Sequence, residues 1–264
     1  MSYLSEIARR AVGVELSDEE MKRYHRQLIL PELTVEGQRC LKAARVLVVG
    51  AGGLGSPVLA YLAAAGVGTI GVVDSDVVDA SNLHRQVLHK TSGIGKPKAL
   101  SAAEAMRDIN PHVTVSPYVT TLCAENAPTL IEQYDFVVDC PDNFDTRYLT
   151  NSVCARLGKP NVHGSVSRFD GRMTVFWAER GPCYRCLQPE PPDPPASADK
   201  GILGMLPGVI GSLQAIEAIK LITGVGDLAV GRLIIFDALT MKMREAKIRK
   251  DPMCPVCGAT PTAS

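Results

Sequence analysis

The stretch Arg45-Val-Leu-Val-Val-Gly-Ala-Gly-Gly-Leu-Gly-Ser-Pro57 constrains the fold most, because an apolar strand runs straight into a glycine turn and on into a helix. Gly50, Gly52 and Gly55 have the G-x-G-x-x-G spacing, and Asp74 closes the next apolar run about 20 residues downstream. Glycines in that turn let backbone N–H groups approach a phosphate, and the N-terminus of the following helix favours its negative charge. Gly53, beside Gly52, leaves no side chain where a triphosphate would lie. The acid at the end of the second strand can hydrogen-bond a ribose hydroxyl. The turn reads as a nucleotide site.

The rest of the chain repeats the strand-then-helix pattern. Ser17 followed by Glu20 is a capping box, and Pro31 ends the helix it opens, predicting a helix over 17–30 and a second over 34–43. Strands are expected at 45–49, 69–73, 113–117, 136–140 and 160–163, with helices at 56–65, 97–109, 125–132 and 145–157. Short, continuously apolar strands separated by helices predict an α/β fold, a mostly parallel sheet with helices on both faces. From 164 the pattern changes. Segments 164–168 and 172–178 read as a hairpin turning at Asp170-Gly171, so the C-terminal part should hold antiparallel strands. Prolines at 189, 191, 192, 194 and 195 make 188–204 an extended, flexible crossover. Helix 211–223 should present Leu213, Ile216, Ile219 and Ile222 on one face and stop at Gly224, before a last strand at 232–236. No repeat or clean boundary divides residues 1–264, which read as one domain.

Twenty-eight acidic and 28 basic side chains cancel, so no global field draws the chain to nucleic acid, and any basic patch must be local. The first 20 residues carry Glu6, Arg9, Arg10 and Glu15, unlike a signal peptide, and no later run is expected to cross a bilayer; a cytoplasmic enzyme is the default. Four of eight cysteines form two C-x-x-C pairs, Cys183/Cys186 and Cys254/Cys257. Two matched pairs predict an all-thiolate zinc (Zn2+) site with no open position, a structural clip. The other cysteines read as small buried hydrophobes, and His25, His89, His112 and His163 as structural.

Asp74-Ser-Asp76 leads into Ser81, Asn82, Leu83, His84, Arg85 and Gln86, with Lys98 beyond and Asp142-Asn143 after a later apolar strand. Asn82, Arg85 and Lys98 supply donors to phosphate oxygens, and Asp142 is an oxygen ligand suited to magnesium (Mg2+) riding on them. A nicotinamide-dependent oxidoreductase shares the glycine turn but has no use for so many phosphate ligands. These motifs, together with Arg23-Tyr-His-Arg26-Gln27, both cysteine pairs and Gly211-Ser-Leu-Gln214, resemble in order those of the HesA/MoeB/ThiF family, bacterial relatives of ubiquitin-activating enzymes. The branch they are most similar to is the molybdopterin-synthase adenylyltransferases.

The resemblance implies a Rossmann-like sheet and ATP-dependent adenylation of a small β-grasp, ubiquitin-like sulfur-carrier protein at its C-terminal Gly-Gly carboxylate, releasing pyrophosphate, within molybdenum cofactor biosynthesis. It implies nucleotide contacts from Gly50, Gly52, Gly53, Gly55, Asp74, Asp76, residues 81–86, Lys98, Asp142 and Asn143, with Arg85, Lys98 and Asp142 catalytic. Arg26 would reach across a two-fold axis into the partner's site, making a homodimer the catalytic unit. A thiamine-pathway or tRNA-thiolation carrier is the alternative acceptor, and a silent scaffold the alternative role. Family members that carry sulfur place a cysteine in the crossover, where this chain has Ser197; the implied sulfur donor is therefore a separate protein.

Overall fold

The computed structural model describes residues 3–191 and 201–258. In chain order the elements are α1 (Tyr3–Ala11), α2 (Asp18–Arg23), α3 (His25–Leu28), α4 (Thr34–Ala43), β1 (Arg45–Val49), α5 (Gly55–Ala65), β2 (Thr69–Val73), α6 (Lys98–Ile109) and β3 (Thr114–Tyr118). They continue with α7 (Ala127–Glu132), β4 (Phe136–Asp139), α8 (Phe144–Arg156), β5 (Asn161–Ser167), β6 (Asp170–Phe176), α9 (Tyr184–Leu187), α10 (Leu206–Thr223), β7 (Arg232–Asp237) and β8 (Lys242–Lys247). The strands form an eight-stranded sheet in the order β3-β2-β1-β4-β5-β6-β7-β8. The first five are parallel, and β6, β7 and β8 join antiparallel.

Alternation along β1 explains its unbroken apolar run. Val46 and Val48 enter the core formed with α5, α6 and α10, and Leu47 and Val49 enter the one formed with α7 and α8. Helix α5 stops at Gly66, whose φ of +85° suits only glycine well. A Cβ at that position would also lie 2.5 Å from the Tyr24 ring. Tyr24 accounts for one departure from expectation. The helix foreseen over 17–30 keeps its capping box but breaks at Tyr24, whose buried ring packs beside Gly66 and whose hydroxyl accepts from Asn110 Nδ2 at 2.8 Å.

The hairpin corrects a second expectation. Strand β5 runs through the residues assigned to two strands and ends at Ser167; the chain turns at Arg168-Phe169, with Arg168 at φ 51°. Gly171 is not in the turn but in β6, opposite Val166. Its lack of a side chain serves helix packing, because a Cβ would sit 2.4 Å from Ile210 Cγ1.

Helix α10 starts at Leu206 rather than 211, with Pro207 in its first turn. The expected apolar face is also displaced, since Ile216 is 54% exposed while Gln214 and Glu217 are buried. These polar side chains earn their burial by satisfying backbone: Gln214 Nε2 donates to the carbonyls of Asp139 and Val162, both at 3.0 Å, and Glu217 Oε2 accepts from Ala229 N. Contrary to expectation, α10 is also long and apolar enough to cross a membrane, with mean hydropathy 1.2. Here it is a core helix packed on α5, β5 and β6. Helices α1 and α9 and the fully exposed edge strand β8 have no counterpart in the sequence reading.

Candidate functional site

The strand order reverses between β1 and β4, the place where open α/β sheets leave a crevice beyond their strand ends. The glycine turn lies there. Gly50 has φ 99°, its N–H donates to Val73 O, and a Cβ would come 2.9 Å from Cys140 O at the end of β4. A Cβ on Gly55 would be 2.0 Å from Gly50 O, so α5 can begin directly beneath the turn only with glycine there. Gly52 differs: its nearest neighbour would be Gln86 Nε2 at 3.6 Å. Protein packing does not require that glycine. Gly53 faces Pro207 of α10 and the Arg85 stem.

Between the glycines, Ala51 is held on both sides. Its N–H donates to Asp74 Oδ2 at 2.8 Å, and its carbonyl lies 2.8 Å from His89 Nε2. His89 Nδ1 is in turn 3.0 Å from Ser101 Oγ. Burial pushes the His89 pKa down, so the neutral ring donates from Nε2 and accepts at Nδ1. His89, taken from sequence as structural, thus positions the glycine turn; a lone histidine carries no sequence signal for that.

Asp74 is half-buried, and burial raises its pKa against the bonds from Ala51 and Asp76 N–H that favour the ionised form. Asp76 is exposed, and its Oδ2 lies 2.9 Å from Lys98 Nζ. Lys98 itself is buried at the start of α6. Ser81 is taken up by a turn: its N–H and hydroxyl both reach Asp79 Oδ1, and Asn82 Nδ2 donates to Ser81 Oγ at 3.3 Å. Leu83 is half-buried and His84 exposed, with His84 Nε2 accepting from Arg85 Nη1 at 2.8 Å. Gln86 is buried at the back, its Oε1 without a hydrogen-bond partner.

Across the crevice, Cys140 N donates to Val49 O, fixing the end of β4 beside β1. Asp142 is exposed in the loop that follows. Arg147 Nη2 holds that loop at Pro141 O, 3.0 Å. Asn143 is a helix cap, its Oδ1 accepting from Thr146 N at 2.9 Å, with Nδ2 3.4 Å from Asp142 Oδ1. The structure therefore gathers the glycine turn, Asp74, Arg85, Gln86 and Asp142 at one sheet end, with Lys98 beside Asp76. It does not bring Arg26 there. Gln27 Nε2 bonds Ala65 O at the far end of α5, whose 11 residues separate Arg26 from its own glycine turn by about 16 Å.

The ThiF family profile matches residues 24–256. The chain belongs to the ThiF family. It is 52% identical to the sulfur carrier protein adenylyltransferase of Thermus thermophilus over 252 residues, 92% of this chain and 93% of that one. It is 52% identical to the probable adenylyltransferase/sulfurtransferase MoeZ of Mycobacterium tuberculosis and 49% identical to the adenylyltransferase and sulfurtransferase MOCS3 of Bos taurus. The chain spans 63% and 56% of those two relatives' lengths. At this likeness it is an adenylyltransferase, which implies use of ATP. Escherichia coli MccB solved with MccA-N7isoASN shares the fold, with TM-score 0.81 at 19% identity over 97% of this chain and 90% of that one.

In this ThiF-family chain the four expected cysteines converge, all Sγ atoms lying within 4.8 Å of one another. Cys183 and Cys254 are 3.6 Å apart, and Cys186 and Cys257 3.4 Å. Four sulfurs at about 2.3 Å from one tetrahedral ion fit these separations. The cluster ties the segment after β8 to α9, and Tyr184 N, donating to Asn151 Oδ1 at 2.7 Å, ties α9 to α8. The crossover's ends are anchored, Gln188 O by Tyr148 OH and Leu203 N by Arg168 O. Ser197 lies outside the described residues.

Proposed function

We propose that the chain activates the C-terminal Gly-Gly carboxylate of a small β-grasp sulfur-carrier protein by adenylation with ATP. The observation that carries this reading is the convergence of an open-faced Gly52 with Arg85, Asp142 and the Asp76-bound Lys98 around one crevice. A carboxylate oxygen forms a bond to the α-phosphorus, the bond from that phosphorus to the bridging oxygen breaks, and pyrophosphate leaves. The nucleophile is already ionised, so no general base is required. The obstacle is repulsion between a carboxylate and a polyanionic nucleotide, and positioning with positive charge lowers it.

Asp74 orients the ribose, and the Gly50–Gly55 turn with the α5 N-terminus receives the phosphates. Asp76, Ser81, Asn82, Leu83, His84, Gln86 and Asn143 form the surrounding cradle. Arg85 and Lys98 meet phosphate oxygens, Lys98 leaving Asp76 as they arrive. Asp142, an exposed carboxylate, suits a magnesium ion, which would neutralise phosphate charge when bound. The four cysteines suit zinc, held as a clip outside the chemistry. Arg26 lies too far from its own turn to serve it, and the exposed Ile29 and Leu30 beside it favour a two-fold dimer in which it serves the partner's.

Residues 1–264 then act as one adenylyltransferase unit, in a reducing, cytoplasmic setting that keeps thiolates available for metal. The resemblance favours a molybdopterin-synthase small-subunit type of carrier, and hence molybdenum cofactor biosynthesis with a separate sulfur donor. Thiamine and tRNA-thiolation carriers are the alternatives. Exchange of labelled pyrophosphate into ATP tests this: it should require a carrier with an intact Gly-Gly end and vanish when the last glycine is removed. Exchange indifferent to the carrier's end overturns the reading. Capture of the carrier from native lysate, with ATP present, identifies the acceptor by mass.

A further inference from the structure

A second charged feature lies at the sheet end opposite the glycine turn. Ser167 pairs with Asp170 and Asp170 with Asp237, so β7 ends beside the crevice end of the sheet and begins, at Arg232, at the other. Arg232 faces Lys247 of β8. Here a cavity of about 530 Å³ is lined by Arg180, Arg232, Lys247, Arg249 and Lys250, with Glu245 the carboxylate in its wall. Strand rise along β7 and four strand spacings between β1 and β7 put this cavity about 25 Å from the glycine turn. It is too remote to serve bound ATP.

Local pairing leaves much of this charge uncompensated. Arg232 reaches Glu245 at 3.1 Å, Lys250 donates to Ala178 O, and Arg180 stacks 4.1 Å over Trp177. Lys247 and Arg249 make no ion pair among the described residues, and both are exposed. Arg232 directly opposite Lys247 is a like-charge cross-strand pair; Glu245, two residues along β8, compensates Arg232 and leaves Lys247 for an external anion. The chain's net charge is zero, so this concentration of cations is local.

The lining also includes Pro182, Val230 and Ile248. Pro182 and Ile248 are buried, so half-buried Val230 gives the cavity its apolar contact, which beside the cations suits an extended peptide carrying acidic side chains with apolar ones between. The lining suits a phosphodiester backbone less, since that needs an uninterrupted track of cations and a long-range field. We propose that this cavity docks an acidic, leucine-containing segment of a partner protein, independently of the nucleotide site.

The probe is a short fluorescein-labelled peptide of alternating glutamate and leucine, titrated against the zinc-loaded full chain by anisotropy. Saturable, salt-sensitive binding is expected, weakened about tenfold or more by Lys247→Glu with Arg249→Glu and less by the corresponding glutamine pair. Carrier-dependent pyrophosphate exchange by the same variants should be unchanged, which separates this site from the catalytic one. Absence of binding, or binding that the double reversal leaves intact, overturns the proposal. So does tighter binding of an oligothymidylate of equal charge, which would assign the cavity to nucleic acid.

Discussion

Replacing Lys98 by methionine removes one charge while keeping most of the buried stem that carries it. Lys98 is only 5% exposed, so its ammonium acts where water screens poorly. At an effective dielectric of about 20, a unit charge about 4 Å from a phosphate oxygen is worth about 4 kcal/mol. The share realised only in the transition state should match that of a single oxyanion donor, about 2.7–4 kcal/mol, or about 10²–10³ in turnover. Stability should hardly move, because the Asp76 side chain is 68% exposed and is left hydrated rather than stranded. The lost ion pair then costs at most about 1 kcal/mol. Carrier-dependent pyrophosphate exchange, measured beside a urea unfolding curve at fixed zinc and protein concentration, reads both quantities. Exchange within tenfold of the parent at equal folded fraction would refute the assignment of Lys98 to the phosphates. A loss that tracks unfolding would refute it equally.

Two glycines should respond in opposite ways. Gly52→Ala should leave the thermal midpoint within about 1 °C while weakening ATP binding in calorimetry, whereas Gly171→Ala, with its Cβ 2.4 Å from Ile210, should cost about 1–3 kcal/mol with ATP affinity unchanged. Burial holds His89 and His163 below the ordinary 6.5, His163 against a 2.7 Å bond to Asp139 that favours its charged form. Their folded values lie under the unfolded ones, so the unfolded chain binds more protons on acidification. The stability they contribute is complete above about pH 6.5 and falls as pH drops toward the folded values, by up to about 1.4 kcal/mol per unit for each ring. Urea midpoints across that range should show the slope, and His89→Gln should flatten it; an unchanged slope in both His89→Gln and His163→Gln contradicts the assignment. Metal analysis should find about one zinc per chain, and its removal by chelator should lower the thermal midpoint and loosen the segment after β8 to proteolysis, whereas unaltered protease resistance would dismiss the clip.

Much of the candidate site was legible because its signals are local. A glycine turn between an apolar strand and a helix, an acid closing the next strand, and cysteines two residues apart each occupy a single window of chain. The alternation of elements likewise gave the parallel sheet, since strands buried on both faces must be apolar throughout. The cysteine pairs, far apart in sequence, could be matched only by their chemistry; the fold supplied the Sγ separations that one tetrahedral ion requires.

What the tertiary structure alone decided are the places where one element answers the needs of another. Gly171 reads as a turn glycine, yet it is set in a strand by the approach of α10. Gln214 and Glu217 lie outside the apolar face expected of this helix, yet they are buried because carbonyl and N–H groups of Asp139, Val162 and Ala229 need partners. His89 is silent in sequence and becomes the support of the glycine turn only when α6 and that turn meet. Periodicity records which face of an element is apolar. It holds no record of a distant backbone group left unpaired, or of the space a distant helix will occupy, and those demands settled the identity of these side chains.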